Sequence, residues 1–203
     1  VAEARLAHSY RGMEDLTIHP MAEYLGATPT AKDATFYRAH ARMGYDLNKQ
    51  GFRCTEFRDR QDINVVTIGC SNALGWSIPI THRYSKVFCD GVAEATGKTV
   101  ADWNLGLPAK SNDYIARMTW TAMETLKPDI VLIGFTGISR REYWDCQGKC
   151  IDFVPSNMDN KVIKQKMPQD LHIHKKIALL HSEWENITNA FKNFKMIEQI
   201  LSD

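Results

Sequence analysis

The pattern of apolar and polar positions changes near residue 63. Before that point, glycine and proline residues interrupt short stretches and no period is sustained. From there on, apolar β-branched runs alternate with stretches of helical spacing. The pattern predicts a helical N-terminal extension over residues 1–60 that packs on an α/β domain over residues 61–203.

Three apolar runs are predicted to be strands. They are "INVVTIG" at 63–69, "TVADWNLG" at 99–106 and "DIVLIGF" at 129–135. Their continuous apolar character is typical of strands covered on both faces. Because helical segments connect them and βαβ crossovers are right-handed, we expect a parallel sheet between two layers of helices.

Two helices are predicted between these strands. The first ends at Gly97, and apolar residues recur along it at helical spacing, namely Tyr84, Val87, Phe88, Val92 and Ala95. The second begins with Ser111 as its cap and ends at Pro128. Its predicted inner face is formed by Ile115, Met118, Ala122 and Leu126.

The C-terminal third is predicted to contain a hairpin over residues 142–155, turning at Gln147 and Gly148, and one long helix over 170–203. Apolar residues recur along this helix at steps of four and three. They are Ile173, Ile177, Leu180, Trp184, Ile187, Phe191, Phe194, Ile197 and Leu201. This seam packs either on the chain's own sheet or on a second copy, as a homodimer through residues 173–201.

Composition narrows the classes of partner. The 203-residue chain has a formal charge of +1 without a concentrated basic patch, so nucleic acid is not expected as a partner. It has no apolar run of about 20 residues and no signal peptide, so no membrane partner is expected. Its five cysteines are odd in number and dispersed, which favours a reducing, cytoplasmic location.

A serine follows the first predicted strand, in "GCSNALG" at 69–75. A serine at this position is either the cap of a helix or a nucleophile exposed at the sheet edge. The loops "NLGLPAKSN" (104–112) and "GFTGISRRE" (134–142) follow the other two strands. The carboxyl ends of parallel strands meet at one edge, where sites in such sheets lie.

These residues resemble the SGNH, or GDSL-type, hydrolases. Gly69, Ser71 and Gly75 match the first block of that family, and Cys70 stands where aspartate is usual. The segment "NKQGFRCTEF" at 48–57 is similar to the lead-in that many members carry. The resemblance implies a three-layer α/β/α, flavodoxin-like domain that hydrolyses small esters or acylated carbohydrates. It implies no cofactor and no metal.

The resemblance also implies roles for single residues. Ser71 would be the nucleophile, and its backbone N–H would be an oxyanion donor. Asn104 matches the second block, but Ala109 stands at the position of the family's oxyanion-hole glycine. Thr136 replaces the asparagine of the third block, so its hydroxyl would be the further donor.

The last expected block, Asp-x-x-His, does not occur in the sequence. Without its histidine, the serine has no identified general base. Asp170 with His172 and His174 lies at the wrong spacing, and His181 lies further along the predicted helix. Either the sequence is truncated, or the protein is a degenerate member that binds a carbohydrate or acyl group without catalysis.

Other side chains are candidates for substrate contacts. They are Trp76, Asn104, Asn112, Arg140, Arg141 and Glu142. Trp76 is equally typical of a core, and the charged residues after the third block are equally typical of a surface ion pair. A zinc site made by Cys146, Cys150, His172 and His174 is conceivable, but their spacing is unlike that of common zinc modules, so no metal is expected.

Overall fold

The structure is a computed structural model that describes residues 47–48, 50–76, 78–146, 148, 150–155 and 168–202. These residues fall into two compact units. The first contains those up to Pro108 together with Thr121–Gly134, and the second contains Ala109–Trp120 and those from Phe135 onward. The predicted N-terminal extension lies mostly outside the described residues. None of the described helices has the length and apolar character that crossing a membrane requires.

The first unit contains a three-stranded parallel sheet, as the sequence predicts. Its strands are β1 (Ile63–Gly69), β2 (Val100–Asn104) and β3 (Ile130–Gly134), in the order β2-β1-β3. The second and third strands are one or two residues shorter at each end than their apolar runs. The prediction of an α/β fold with a parallel sheet is confirmed at this level.

The central position of β1 in the sheet explains its continuous apolar, β-branched sequence. Six of the seven residues of β1 are buried, because β1 has a neighbour on both edges. In its register, Val66 pairs with Trp103 on one side and with Val131 on the other. Trp103 is fully buried, and the ring of Phe57 meets it edge-on at 6.1 Å between centroids.

Between β1 and β2 lie α1 (Ser71–Leu74), a 3₁₀ turn (Ile80–His82) and α2 (Tyr84–Thr96). The helix α2 ends at Gly97 in a left-handed conformation, as predicted. The buried residues of α2 are Ser85 and Cys89, neither of which belongs to its apolar pattern. The exposed side chains include Tyr84 at 43%, Val87 at 56% and Phe88 at 38%.

Hydrogen bonds explain the orientation of α2. The Ser85 hydroxyl accepts from Nε of Arg83 at 2.9 Å and from Nδ2 of Asn104 at 3.3 Å, and all three residues are buried. The Sγ of Cys89 lies 4.0 Å from the carbonyl oxygen of Ala101 on β2. A polar anchor therefore outweighs the apolar stripe in deciding which face of α2 packs inward.

Between β2 and β3 lies α3 (Asn112–Thr125), which follows its prediction closely. The Ser111 hydroxyl accepts from the backbone N–H of Tyr114 at 3.3 Å, so Ser111 caps this helix. Ile115, Met118 and Ala122 are buried.

The second unit contains the predicted hairpin. The strands β4 (Arg141–Trp144) and β5 (Cys150–Phe153) pair antiparallel, with Trp144 opposite Cys150. Gly148 in the connection has a φ of 79°, which suits glycine. Gln147 lies outside the described residues.

The single long C-terminal helix is a wrong prediction. Two helices, α4 (Pro168–Leu180) and α5 (Glu183–Ser202), are separated by His181 and Ser182. The Ser182 hydroxyl accepts from the backbone N–H of Glu185 at 3.1 Å, so it caps α5. The His181 ring is held by the Tyr143 hydroxyl at 2.6 Å and by Oδ1 of Asn186 at 3.1 Å.

The apolar seam is not the buried face of α5. The buried residues of α5 are Asn189, Ala190, Asn193 and Ile197. The amide groups of Asn189 and Asn193 each donate to Oδ1 of Asp113 at 2.7 Å. The partly buried carboxylate of Asp113 therefore selects the polar side of α5, where Asn189 and Asn193 are buried, and the larger part of the apolar seam remains exposed.

Candidate functional site

Ser71 lies directly after the central strand and is the first residue of α1. The cap position belongs to Cys70, and no side chain caps this helix. The only hydrogen bond of the Ser71 hydroxyl in the described part of the chain is a weak one to Sγ of Cys70, at 4.0 Å. The hydroxyl of this half-buried serine is therefore not used as a helix cap.

Close packing of glycines fixes the backbone around Ser71. A Cβ atom on Gly69 would lie 2.7 Å from Cβ of Ala73 and 2.9 Å from the carbonyl oxygen of Gly134. A Cβ atom on Gly106 would lie 2.5 Å from the backbone nitrogen of Leu74. The ends of the strands therefore meet α1 at distances that exclude any side chain at these two glycines.

Asn104 connects the end of β2 to α1. Its side chain is fully buried, and its Nδ2 donates to the carbonyl oxygen of Ala73 at 2.6 Å. Its Oδ1 accepts from the backbone N–H of Gly106 at 2.9 Å. Both ends of the Asn104 amide are engaged within the protein, so the side chain positions the serine segment.

Arg53, in the segment that resembles the family's lead-in, holds the other end of the serine segment. Its guanidinium is fully buried and donates to the carbonyl oxygens of Leu74 at 3.3 Å, Gly75 at 2.7 Å and Ile78 at 3.0 Å. Leu74 ends α1 and the other two residues follow it, so these carbonyls have no hydrogen-bond donor inside so short a helix. The sequence analysis did not assign this role to Arg53, although the "GFR" triplet marked its position.

Arg83 in turn holds the backbone of Arg53 in place. It donates from Nη1 to the carbonyl oxygen of Arg53 and from Nη2 to Oδ2 of Asp102 at 2.5 Å. The Arg83 side chain is 1% exposed and the Asp102 side chain 10%. A buried guanidinium needs such a carboxylate partner, because an isolated buried charge is strongly unfavourable.

Tyr84 brings a hydroxyl to the carboxyl ends of β1 and β3. A Cβ atom on Gly134 would lie 3.2 Å from the Tyr84 hydroxyl oxygen. Burial raises the pKa of the Tyr84 phenol, and the Cys70 thiol acts in the same direction. The hydroxyl is therefore a proton donor at neutral pH. In the sequence, Tyr84 is part of an apolar helical pattern that gives no sign of this position.

Trp76 belongs to the turn that follows α1. Its backbone N–H donates to the carbonyl oxygen of Ser71 at 3.0 Å, which closes the turn, and its side chain is half-buried. Ser71, Trp76 and Asn104 are thus the candidate residues of the first unit.

The second unit contains the remaining candidates. Asn112 is 2% exposed, and its Nδ2 donates to the Thr136 carbonyl at 3.1 Å while its Oδ1 accepts from the Thr136 N–H at 2.9 Å. The Asn112 side chain therefore fixes the backbone of Thr136 on both sides. Ala109 has a φ of 62°, a left-handed conformation in which glycine is favoured.

The charged residues after the third block form ion pairs within the second unit. Arg117 contacts Glu142 with two donors, Nε at 3.0 Å and Nη2 at 2.7 Å. Arg141 lies 3.0 Å from a carboxylate oxygen of Glu185 and 3.4 Å from one of Asp113. The backbone N–H of Arg140 donates to the Gly137 carbonyl at 3.1 Å.

One group of possible metal ligands occurs among the described residues. It comprises Glu142, Cys150 and Asp152, whose ligand atoms lie within 4.8 Å of one another. Arg117 and Lys110 already neutralise the two carboxylates, with Lys110 at 2.5 Å from Asp152. Burial, followed by the charge of Glu142, raises the pKa of Cys150, so its thiol is neutral. A cation would compete here with the half-buried guanidinium of Arg117 and the buried ammonium of Lys110.

The alternative zinc site is not assembled in the described part of the chain. Cys146 and His172 are exposed, whereas Cys150 and His174 are buried. The single candidate metal group includes neither histidine and lacks Cys146.

No protein-family model, no curated protein and no solved structure matches this chain. The resemblance to the SGNH hydrolases therefore rests on the residues named above.

Proposed function

We propose that the chain is an SGNH-type serine ester hydrolase that acts on small esters or acylated carbohydrates, with Ser71 as its nucleophile. The observation that carries this proposal is the state of the Ser71 hydroxyl. Ser71 follows a buried central strand, and its hydroxyl is not used as a cap. Asn104 and Arg53 hold the backbone of the segment after it, through the carbonyls of Ala73 and Gly75. The proposal includes a three-layer, flavodoxin-like arrangement around the parallel sheet.

The proposed reaction is acyl transfer to serine. The Ser71 oxygen attacks the ester carbonyl, the carbonyl oxygen becomes an oxyanion, and the alcohol leaves with a proton. Water then hydrolyses the acyl-serine ester and releases the acid. The resemblance assigns the oxyanion donors to the backbone N–H of Ser71 and to Ala109 and Thr136 of the second unit.

The general base is the missing part of this mechanism. In the described part of the chain, no imidazole is hydrogen-bonded to the Ser71 hydroxyl. Removal of one member of a catalytic triad typically costs about 10⁴-fold or more in turnover. We therefore expect slow ester hydrolysis, with the acylation step retaining its dependence on Ser71.

A fluorophosphonate probe tests the nucleophile. It phosphonylates activated serines, and peptide mass spectrometry should locate the adduct at Ser71. Ser71→Ala should abolish the adduct, whereas Thr81→Ala should retain it. Thr81 is a suitable control because its aliphatic hydroxyl lies 3.2 Å from Nδ1 of His82 and so has an imidazole partner. Labelling that persists in Ser71→Ala would contradict the proposal.

A non-catalytic binding protein is the second candidate. It is favoured by Cys70 in place of the usual aspartate and by the lack of a hydrogen-bonded base at Ser71 among the described residues. This candidate predicts that an O-acetylated monosaccharide binds in isothermal titration calorimetry without being hydrolysed. Trp76→Ala should then weaken binding, and the fluorophosphonate probe should leave Ser71 unlabelled.

A further inference from the structure

We propose that α5 forms an antiparallel homodimer through a stripe of four exposed apolar residues. The stripe consists of Trp184, Ile187, Phe191 and Phe194. Their spacing of three, four and three residues places them on one face of the helix, in the pattern of a two-stranded coiled coil. This surface is separate from the proposed catalytic function.

The stripe is not the face by which α5 packs within its own unit. Trp184 is 79% exposed, Ile187 44%, Phe191 61% and Phe194 38%. The contacts of Asn189 and Asn193 with Asp113 already fix the opposite side of the helix. Contiguous apolar patches of this kind are uncommon on monomers and mark interaction surfaces.

A further aromatic residue broadens the patch at one end. The ring of Phe135 lies 4.3 Å from that of Phe194, measured between centroids, and Phe135 is itself 49% exposed. The neighbouring Ile138 is 40% exposed. The stripe therefore continues from α5 onto the loop after β3.

The stripe matches itself about a two-fold axis at the level of Asn189. In an antiparallel pair with that axis, Trp184 of one copy lies opposite Phe194 of the other, and Ile187 lies opposite Phe191. Each layer then pairs two different side chains, as alternate core positions do in antiparallel coiled coils. Isologous contacts of this kind close as a dimer and leave no free face.

Charge favours the antiparallel orientation. The first turn of α5 contains Glu183, whereas its other acidic residue, Glu185, is already paired with Arg141. The later turns contain Lys192 and Lys195, and the exposed Lys195 is paired on the surface with Glu198. An antiparallel pair brings the acidic end of each helix to the lysine-bearing part of its partner. A parallel pair would bring carboxylate to carboxylate and ammonium to ammonium, which is unfavourable.

The exposed area sets the strength of the dimer. Large apolar side chains that are about half exposed contribute on the order of 100 Å² each, which gives roughly 400 Å² per copy. The area buried on both copies together, which is twice this value, lies below the roughly 1,200–2,000 Å² that stable complexes bury. We therefore expect a dimer that forms at tens of micromolar and dissociates on dilution.

Sedimentation velocity of the full chain between about 1 and 200 μM tests the dimer by mass action. The wild type should shift from monomer to dimer over this range, and Phe191→Glu should remain monomeric. Met196→Glu should behave as the wild type, since Met196 is 36% exposed on the same helix but lies outside the stripe. A wild-type monomer at every concentration would overturn the proposal. So would a dimer that persists in Phe191→Glu.

The double variant Lys192→Glu/Lys195→Glu tests the orientation. In the antiparallel dimer, it places new carboxylates beside Glu183 of the other copy, where lysines stood before, so dissociation should become at least about tenfold easier at low salt. In a parallel dimer, the same variant exchanges one like-charge contact for another and leaves the affinity unchanged. An unchanged affinity would therefore reject the antiparallel pairing.

Discussion

The side chain of Asn104 donates a hydrogen bond to the backbone carbonyl of Ala73 across 2.6 Å. This bond joins the end of an edge strand to the helix that begins with Ser71. Ala73 lies two residues after the proposed nucleophile, and both partners are buried. The position of the serine is therefore set by an amide group that no solvent reaches.

Replacing Asn104 should destabilise the first unit. Asn104→Ala leaves the Ala73 carbonyl and the Gly106 N–H without their partner, and each buried unsatisfied group costs about 1–3 kcal/mol. We expect a loss of about 2–4 kcal/mol in the free energy of unfolding, measured by urea denaturation. Asn72→Ala, an exposed change in the same helix, should cost less than about 0.5 kcal/mol. Equal losses in the two variants would refute the positioning role.

Ala109→Gly should stabilise the protein. The φ of 62° at Ala109 costs an L-residue about 1–2 kcal/mol, whereas glycine adopts it freely but is more flexible when unfolded. We expect a net gain of about 0.5–1 kcal/mol, seen as a higher midpoint of thermal unfolding. Ala93→Gly, in the interior of α2, should instead lose about 1 kcal/mol. A loss at both positions would show that residue 109 gains nothing from glycine.

Asp113→Ala should loosen α5. The Asp113 carboxylate accepts from Asn189, Asn193 and the backbone N–H of Glu142, so its removal strands several buried donors at once. We expect a loss of about 3–5 kcal/mol and faster amide hydrogen exchange in α5. Glu198→Ala removes an exposed ion pair on α5 and should leave the exchange unchanged. Protection of α5 that survives Asp113→Ala would contradict this anchoring role.

The carboxylate of Asp129 should make the stability depend on acidic pH. It accepts from the backbone N–H of Asn64 at 2.7 Å and from its side-chain amide at 3.0 Å, and these bonds lower the pKa of Asp129 below 3.8. A group with a lowered folded pKa stabilises the fold above its unfolded pKa and loses this contribution as pH falls through the folded pKa. Urea denaturation should therefore show a larger loss below about pH 4 in the wild type than in Asp129→Asn. The free energy of unfolding of Asp59→Asn, an exposed change, should depend on pH as that of the wild type does. The same pH dependence in Asp129→Asn would refute the role of the Asp129 carboxylate.

The cysteines should differ sharply in reactivity. Burial raises the pKa of Cys54 and of Cys89 to about 12 and that of Cys150 further, whereas Cys146 is exposed. Because the thiolate is the nucleophile, iodoacetamide at pH 8 should alkylate Cys146 first. Peptide mapping over time measures the order, and denaturation in urea should make the rates similar. Early labelling of Cys89 in the folded protein would contradict its buried placement.

The sequence by itself determined those elements whose residue types depend on their immediate surroundings. The run Ile63–Gly69 is β-branched because a central strand is covered on both faces, and Ser111 caps its helix through a contact three residues away. Gly97 and Gly148 mark ends and turns through their own backbone angles. Local rules suffice for such features, since cause and effect lie within a few residues of each other.

Only the tertiary structure decided the features that depend on distant partners. Asp113 turns the polar side of α5 inward from 76 and 80 residues away, and Ser85 turns α2 by its contact with Asn104. The apolar stripes of the two helices do not predict these orientations. The free energy of leaving a buried polar group without a partner exceeds that of leaving some apolar area exposed. The support of Ser71 by Arg53 likewise joins segments 21 to 25 residues apart, so spacing along the chain does not reveal it.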